Sequence, residues 1–346
     1  DEVALSCTHF TLPPIASRQM CLYLVLAIAA LIVSSEAHSQ CVDADCTAVS
    51  CPDHSGVIAA ALRPRWVAVG SVVAMDRVNQ DPRTLMQSTA STGEQLNAAD
   101  INFDWQLGFD VSLTRRAWDD TAFEVRYLDL GQLDGNVLIP VTNSQVEIIT
   151  DPPVFVPNVQ GIAARFTTDF FSFETNYYYP AYDFLDVLIG FRYVSFDDDI
   201  FALLDAAPDT VQMVSSTSNE MYGCQIGAVT RPCRPALGCL WLSAYAKTGL
   251  YGNDAQNRGV IDTGLSRLAV NDSADDTSFM GEFGATSRTP IGNRISIFAS
   301  YSLIWLESVA IASEQIAVSD YFNGVGSTSR GNAVFYGATA GVELRF

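Results

Sequence analysis

Hydrophobic and polar residues alternate most clearly between positions 101 and 113. The odd positions of this stretch are apolar, whereas the even positions are Asn, Asp, Gln, Gly and Ser. Side chains of a β-strand point alternately to opposite faces, so this period of two predicts a strand with one apolar and one polar face. The stretch is also long enough to cross a bilayer, which takes about 9 to 11 residues of a tilted strand.

The same alternation recurs along the chain. Clear cases are residues 123–130, 171–179, 185–193, 240–250, 295–305 and 335–346, and weaker ones are 162–167, 219–229, 259–270 and 277–286. Residues 66–75 are apolar at both odd and even positions, so the facing of this strand is undecided. Segments rich in turn residues separate the strands, and we expect connections at 132–158, 197–218, 253–257, 271–276 and 307–332.

These strands predict an all-β protein, a transmembrane antiparallel β-barrel of about twelve strands within a range of 10–14. A strand in hydrocarbon must pair every backbone N–H and C=O, and closure into a barrel removes unpaired edges. A secreted β-sandwich is the soluble alternative, because it would bury the apolar faces between two sheets. Charged residues on the opposite parity of almost every strand favour the barrel.

Composition narrows the function classes. The chain is 49% hydrophobic and 17% charged, with a net charge of -20. The apolar content excludes a disordered acidic chain, and the acidic excess argues against nucleic acid as a partner. Much of the excess falls in the expected connections, as at 197–199 and 275–276, where we interpret it as solvated loops. No apolar run reaches eighteen residues, so we expect no membrane-spanning helix.

The N-terminal part of the chain has the features of an export signal. The apolar run at 22–33 is followed by small and polar residues, which predicts a secretory signal peptide at 20–39 after an over-extended start at 1–19. A buried N-terminal helix is the alternative. We expect residues 40–63 to be a polar, cysteine-containing N-terminal segment and residues 64–346 to form the barrel.

Six cysteines downstream of the signal are candidates for disulfides in an exported protein, with their connectivity open: Cys41, Cys46, Cys51, Cys224, Cys233 and Cys239. Zinc is the alternative for the first three. Their spacing is C-x4-C-x4-C instead of C-x2-C, so we predict no metal site. No cofactor is expected either.

Several short blocks of sequence resemble a bacterial outer-membrane β-barrel porin family: GFRY at 190–193, NEMYGCQIGA at 219–228, KTGLYGN at 247–253 and YSLIWL at 301–306. The end of the chain also resembles the terminal assembly signal of such barrels, at Thr339, Gly341, Leu344 and Phe346. The resemblance spans residues 66–346. It implies a place in the bacterial outer membrane, with lipid and the barrel assembly machinery as partners, and it carries no catalytic motif.

If the apolar faces meet lipid, the opposite faces line the lumen. The candidate lumen residues are Asp104, Asp110, Glu124, Arg126, Glu174, Asp186, Arg192, Lys247, Glu282, Glu343 and Arg345. Seven acids against four bases predict a porin-like passive channel for small hydrophilic solutes or ions, with a mild cation preference. In the alternative, these charges pair across the lumen and brace the wall of a non-conducting barrel with a structural or surface-interaction role.

The distribution of histidine argues against an enzyme. The chain has three histidines, His9, His38 and His54, and all precede the barrel. Histidine is the usual base that activates a serine or water nucleophile, and no H-E-x-x-H motif occurs. We therefore predict no catalytic residues, with a site built from carboxylates alone as the alternative.

Overall fold

The structure, a computed structural model, describes residues 66–346 except 81, 91–92 and 233–239. The predictions for the signal, for residues 40–63 and for all the candidate cysteines except Cys224 lie outside this part. A 3-10 turn, Ala98–Asp100, and a short helix, α1 (Ala312–Ile316), accompany twelve strands. Neither helical element among the described residues is long and apolar enough to cross a bilayer. The strands are β1 (Trp66–Arg77), β2 (Thr84–Ser88), β3 (Gln95–Asn97), β4 (Gln106–Arg116), β5 (Ala122–Ile148), β6 (Val154–Tyr182), β7 (Leu185–Ala206), β8 (Val211–Thr230), β9 (Trp241–Asp262), β10 (Arg267–Pro290), β11 (Ile295–Val309) and β12 (Gly331–Arg345).

All twelve strands belong to one antiparallel sheet. The short β3 pairs with β2, which in turn pairs with the end of β5. The other ten strands close into a ring, because β5 pairs with β6 and β1 pairs with both β4 and β12. The predicted antiparallel β-barrel is confirmed. Its sheet has twelve strands, and the ring of ten lies at the lower limit of the predicted range of 10–14.

The seam between β1 and β12 joins the two ends of the barrel sequence. Trp66 and Phe346 exchange backbone hydrogen bonds of 2.9 and 3.0 Å. The register then runs from Val67 opposite Arg345 to Arg77 opposite Phe335. Along β1 the odd positions point inward, which the sequence left undecided.

The two ends of the barrel differ in their connections. The turn end carries the chain termini of the barrel and the connections at 117–121, 183–184 and 291–294, and β8 ends and β9 begins there. The loop end carries the connections at 78–105, 149–153, 207–210, 263–266 and 310–330. In bacterial membrane barrels, short turns face the periplasm and longer loops face the outside.

An apolar belt surrounds the half of the barrel nearest the turn end. Its outward side chains are exposed in the isolated chain, and they include Leu107, Ile189, Ile226, Leu250, Ile297 and Leu344. Aromatic rings edge the belt towards the loop end, where Tyr127, Tyr193 and Tyr336 donate hydrogen bonds to carboxylates. Trp66, Tyr179 and Trp241 lie near the other edge. This is the surface of a membrane-spanning barrel.

The half of the barrel nearest the loop end has the opposite polarity. Its interior is apolar and fully buried, with Phe166, Phe196, Ile200, Met213 and Phe335 at its centre. Its outward positions are largely polar, with many Asp residues. The long strands β5 and β6, of 27 and 29 residues, extend through both halves.

This extension corrects four of the expected connections. Residues 132–158, 197–218, 253–257 and 271–276 lie almost entirely in strands. Some of their turn-forming residues, such as Asn136, Asp254 and Asn271, point outward beyond the belt and meet water. Others, such as Asp198, Asn253 and Asn257, point inward and are buried. In both cases the backbone stays paired with neighbouring strands. The connection predicted at 307–332 agrees better with the structure, because residues 310–330 join β11 to β12 with only α1 and one turn closed by the bridge between Asp320 and Val325.

Candidate functional site

Six charged side chains meet inside the barrel at the level of the apolar belt. We call them the ion-pair layer: Asp110, Arg126, Glu174, Arg192, Lys247 and Glu282. They come from β4, β5, β6, β7, β9 and β10 and all point inward. Three carboxylates face three cations, so the layer has no net charge.

Arg126 is the centre of this layer. Its Nε and Nη2 donate to the two oxygens of Asp110 at 2.9 and 3.0 Å. Its Nη1 donates to Glu174 at 2.9 Å and to Glu282 at 2.8 Å. A guanidinium fork that contacts three carboxylates fixes their positions as well as its own.

The other two cations complete the layer. Arg192 donates from Nη1 to Glu282 at 2.6 Å, and Lys247 donates to Glu174 at 2.7 Å. Tyr245 adds a hydrogen bond of 3.1 Å to Glu282. Glu174 and Glu282 therefore each accept hydrogen bonds from several donors, and both side chains are only 1% exposed.

Strand register explains why these residues meet. Glu174 lies directly opposite Arg126 on one neighbouring strand and Arg192 on the other. Lys247 lies opposite Glu282. Opposite charges at facing positions stabilise a strand pair. Inward parity was visible in the sequence, but the pairing depends on register.

A second closure fills the lumen towards the loop end. The buried apolar side chains described above pack against residues 310–316, which turn inward and include α1. We call residues 310–330 the plug segment. Together with the apolar interior, it lies across the path that would lead from the ion-pair layer to the loop end.

Polar side chains of the wall fasten the plug segment. Asp198 accepts a hydrogen bond from the Ala312 N–H at 3.1 Å. Asn219 bonds the N–H and the C=O of Ala310, at 2.7 and 2.9 Å. Ser215 donates to the C=O of Ala312 at 3.0 Å.

Arg77 provides the counter-charge for Asp198 in this apolar surrounding. The two side chains form a buried ion pair, which Thr168 joins. The Arg77 guanidinium also lies 5.0 Å from the ring centre of Phe103 and 5.5 Å from that of Phe196. Sequence reasoning missed this site, because Asp198 was interpreted as one of three solvated loop carboxylates. In a strand, Asp198 faces the opposite side from Asp197 and Asp199, but three aspartates in a row do not indicate which side is inward.

A cavity of about 510 Å³ opens on the other side of the ion-pair layer, at the turn end. We call it the vestibule. Four of the predicted lumen residues line it: Glu124, Asp186, Glu343 and Arg345. Glu124 accepts a hydrogen bond of 2.8 Å from Tyr178, and Asp186 accepts one of 2.8 Å from Arg231.

Asp104 does not line the lumen, contrary to the prediction. It precedes β4 and is exposed, whereas its neighbour Phe103 is buried inside and bridges to Gly135. Adjacent residues of an extended chain face opposite sides. Even-numbered residues such as Asp110 point inward within β4, but this alternation does not extend back to Asp104.

The remaining sequence candidates lie on both faces. In β12, Thr339 and Gly341 point inward, whereas Leu344 is exposed on the outer face. Phe346, which follows β12, is also exposed. Cys224 is a free, exposed thiol on the outer face of β8. Among the described residues, no group of three or more His, Cys, Asp or Glu side chains is arranged to hold a metal ion.

The sequence matches no protein-family model and no curated protein. Solved structures do match. The crystal structure of the outer membrane protease OmpT from Escherichia coli has a TM-score of 0.51 at 9% identity, and the match covers 81% of this chain and 96% of that one. The P. putida toluene transporter TodX has a TM-score of 0.30 at 9% identity, over 82% and 90% of the two chains. A Pseudomonas aeruginosa FadL homologue has a TM-score of 0.22 at 11% identity, over 82% and 92%.

The similarity to OmpT concerns the fold. The chain has the fold of a bacterial outer-membrane β-barrel, which confirms the fold that the resemblance implied. The apolar belt with aromatic edges, around a closed barrel of this kind, places the chain in the bacterial outer membrane. At 9% identity the match carries no activity across, and the absence of catalytic residues stays a prediction.

Proposed function

We propose that this chain is a non-conducting outer-membrane barrel with a structural or surface-interaction role. One observation carries the proposal: the lumen is closed at two levels, by the ion-pair layer and by the apolar interior with its plug segment. A ring of ten strands is also close in size to eight-stranded barrels, which side chains can fill, and far from the sixteen to eighteen strands of open porins.

The charge balance of the ion-pair layer bears on selectivity. Acidic linings favour cations only when their charge is uncompensated. Here each of the three carboxylates of the layer has a cationic partner at 3.0 Å or less. The excess of acids that suggested a cation path is therefore neutralised at the level of the ion-pair layer.

The surface beyond the belt supports the interaction role. Leu138, Ala163 and Leu203 lie side by side in register on the outer wall of the loop-end half. Phe201 and Val214 form the adjacent pair. Leu138 is 76% exposed and Phe201 is 43% exposed. A contiguous apolar stripe above the membrane level is a surface on which another protein can pack.

A porin-like passive channel with mild cation preference is the second candidate, and the open vestibule favours it. A solute that enters the vestibule from the turn end would still have to separate the ion pairs of the layer. It would then have to displace the plug segment and the apolar side chains around it.

Conductance in a planar bilayer tests the proposal. Heat-modifiable migration establishes that the preparation is folded, and recovery of the protein with the lipid establishes that it inserts. We expect this inserted protein to produce no current steps at either polarity. The ion-pair layer and the plug segment are the reason. Reproducible steps whose reversal potential in a salt gradient indicates cations would refute the closed barrel and favour the porin-like channel.

A further inference from the structure

The vestibule has a basic side formed by three arginines. Arg288 on β10, Arg345 on β12 and Arg116 on β4 all point into it. The first two share one carboxylate, Glu343, with contacts of 3.0 and 2.6 Å. The positive charges of Arg345 and Arg116 repel that of Arg288, so the three guanidiniums act on one another.

The acids of the vestibule are unevenly distributed around these arginines. Arginine and acidic residues are equal in number along its wall, four of each. Asp186, however, is paired with Arg231 on the opposite side. Glu124 is held by the neutral donors Tyr178 and Asn176. Glu343 is thus the acid that contacts both Arg288 and Arg345. The fourth acid of the wall, Asp120, lies in the turn that follows β4.

One hydrogen-bond donor of this arginine cluster lacks an acceptor. The Nε of Arg288 is buried and has no hydrogen-bond partner among the described residues. A buried N–H without an acceptor is costly. Arginine forks match planar or tetrahedral oxyanions, which accept two parallel hydrogen bonds. Val67 and Val69 add apolar wall beside the cluster.

We infer that the vestibule binds a small oxyanion, a carboxylate or phosphate group on a soluble solute, through Arg288 and Arg345 with Arg116 beside them. Glu343 occupies part of this site in the unliganded protein and competes with the anion. The site opens towards the turn end, the periplasmic side of such barrels. It does not depend on whether the lumen conducts.

Calorimetric titration of the refolded protein in a nonionic detergent tests the site, with inorganic phosphate and succinate as separate probes. We expect saturable binding of at least one probe at millimolar concentration or tighter, that is about -4 kcal/mol or stronger. The double variant R288Q/R345Q is expected to bind at least tenfold more weakly. R231Q, which removes an arginine of the same vestibule that is already paired, is the matched control and should bind as the wild type does.

A third variant distinguishes a shared site from general attraction by positive charge. E343Q removes the competing carboxylate, so the anion should bind severalfold more tightly. Heat-modifiable migration establishes that each variant is folded, and the single variant R345Q replaces R288Q/R345Q if the double variant does not fold. The inference is overturned if neither probe saturates by tens of millimolar, if R288Q/R345Q binds like the wild type, or if E343Q leaves binding unchanged or weaker.

Discussion

Replacing Glu282 by glutamine removes one negative charge from the balanced ion-pair layer while keeping the shape of the side chain. Glu282 is 1% exposed and accepts hydrogen bonds from Arg126, Arg192 and Tyr245. Arg126 retains Asp110 and Glu174 in the variant. Arg192 retains Ser172 at 3.0 Å, with its nearest remaining carboxylate, Glu174, 4.0 Å away.

E282Q should lose stability because the positive charge of Arg192 stays buried without its carboxylate partner. Removing one partner of a buried ion pair typically destabilises a protein by about 3–5 kcal/mol, because the other charge stays buried. The remaining partners of Arg126 place E282Q near the lower value. With a urea dependence of about 1–3 kcal/mol per molar, the unfolding midpoint should fall by roughly 1–3 M.

Urea unfolding in detergent micelles, followed by tryptophan fluorescence, measures this shift. D205N is the control, because Asp205 is an exposed outward carboxylate of β7. A surface substitution of this kind should change stability by less than about 0.5 kcal/mol. The double variant E282L/R192M removes both partners and should be less destabilised than the sum of E282L and R192M. An unchanged midpoint in E282Q, or strict additivity in the double variant, would refute the ion-pair reasoning.

Three further changes test other parts of the barrel. D198N removes the negative charge that Arg77 pairs with and weakens the bond to Ala312. Proteases added on the loop side of the embedded protein should then cleave residues 310–330 faster, and equal resistance would argue against this attachment. G337A would place a methyl group 2.0 Å from the backbone oxygen of Ala74, whereas the control G70A meets nothing within 4 Å. Only G337A should lose the heat-modifiable form, and loss in both or in neither would contradict the predicted clash at the seam. D169N removes a charge opposite Asp197. It should raise the free energy of unfolding at pH 7, measured with urea, by less than about 1 kcal/mol. Burial and repulsion by Asp197 raise the pKa of Asp169. The wild type should therefore become as stable as D169N when the pH falls through that pKa. If D169N is still more stable than the wild type at pH 3, repulsion between Asp169 and Asp197 is not the cause.

Much of the membrane-spanning half could be predicted from the sequence. Its outward apolar positions alternate strictly, as in residues 107–113 of β4, because lipid faces every second residue. The inward parity of Arg126, Glu174 and Glu282 followed from the same rule. Which carboxylate meets which cation did not follow, because facing positions depend on register and on bulges such as the shift between Asp129 and Gln132.

The loop-end half was harder to predict for a physical reason. Its strands keep their backbone pairing while their outward face becomes polar, so turn-forming residues no longer mark the end of a strand. Asp197 and Asp199 point out and Asp198 points in, and three identical residues in a row give no parity signal. The vestibule arginines were only partly visible: Arg345 was expected in the lumen, whereas Arg288 and Arg116 lie at strand ends.

The tyrosine–carboxylate contacts at the edge of the belt set the depth of the protein in its bilayer. Asp76, Asp129 and Glu220 each accept a bond from a tyrosine hydroxyl of that edge. Sinking the barrel by one pair of strand residues, about 6 to 7 Å, would carry these carboxylates towards hydrocarbon. Raising it by the same distance would expose apolar belt residues to water. Both displacements cost free energy, so the vertical position is fixed by the wall itself, and membranes of different thickness must adapt to the barrel.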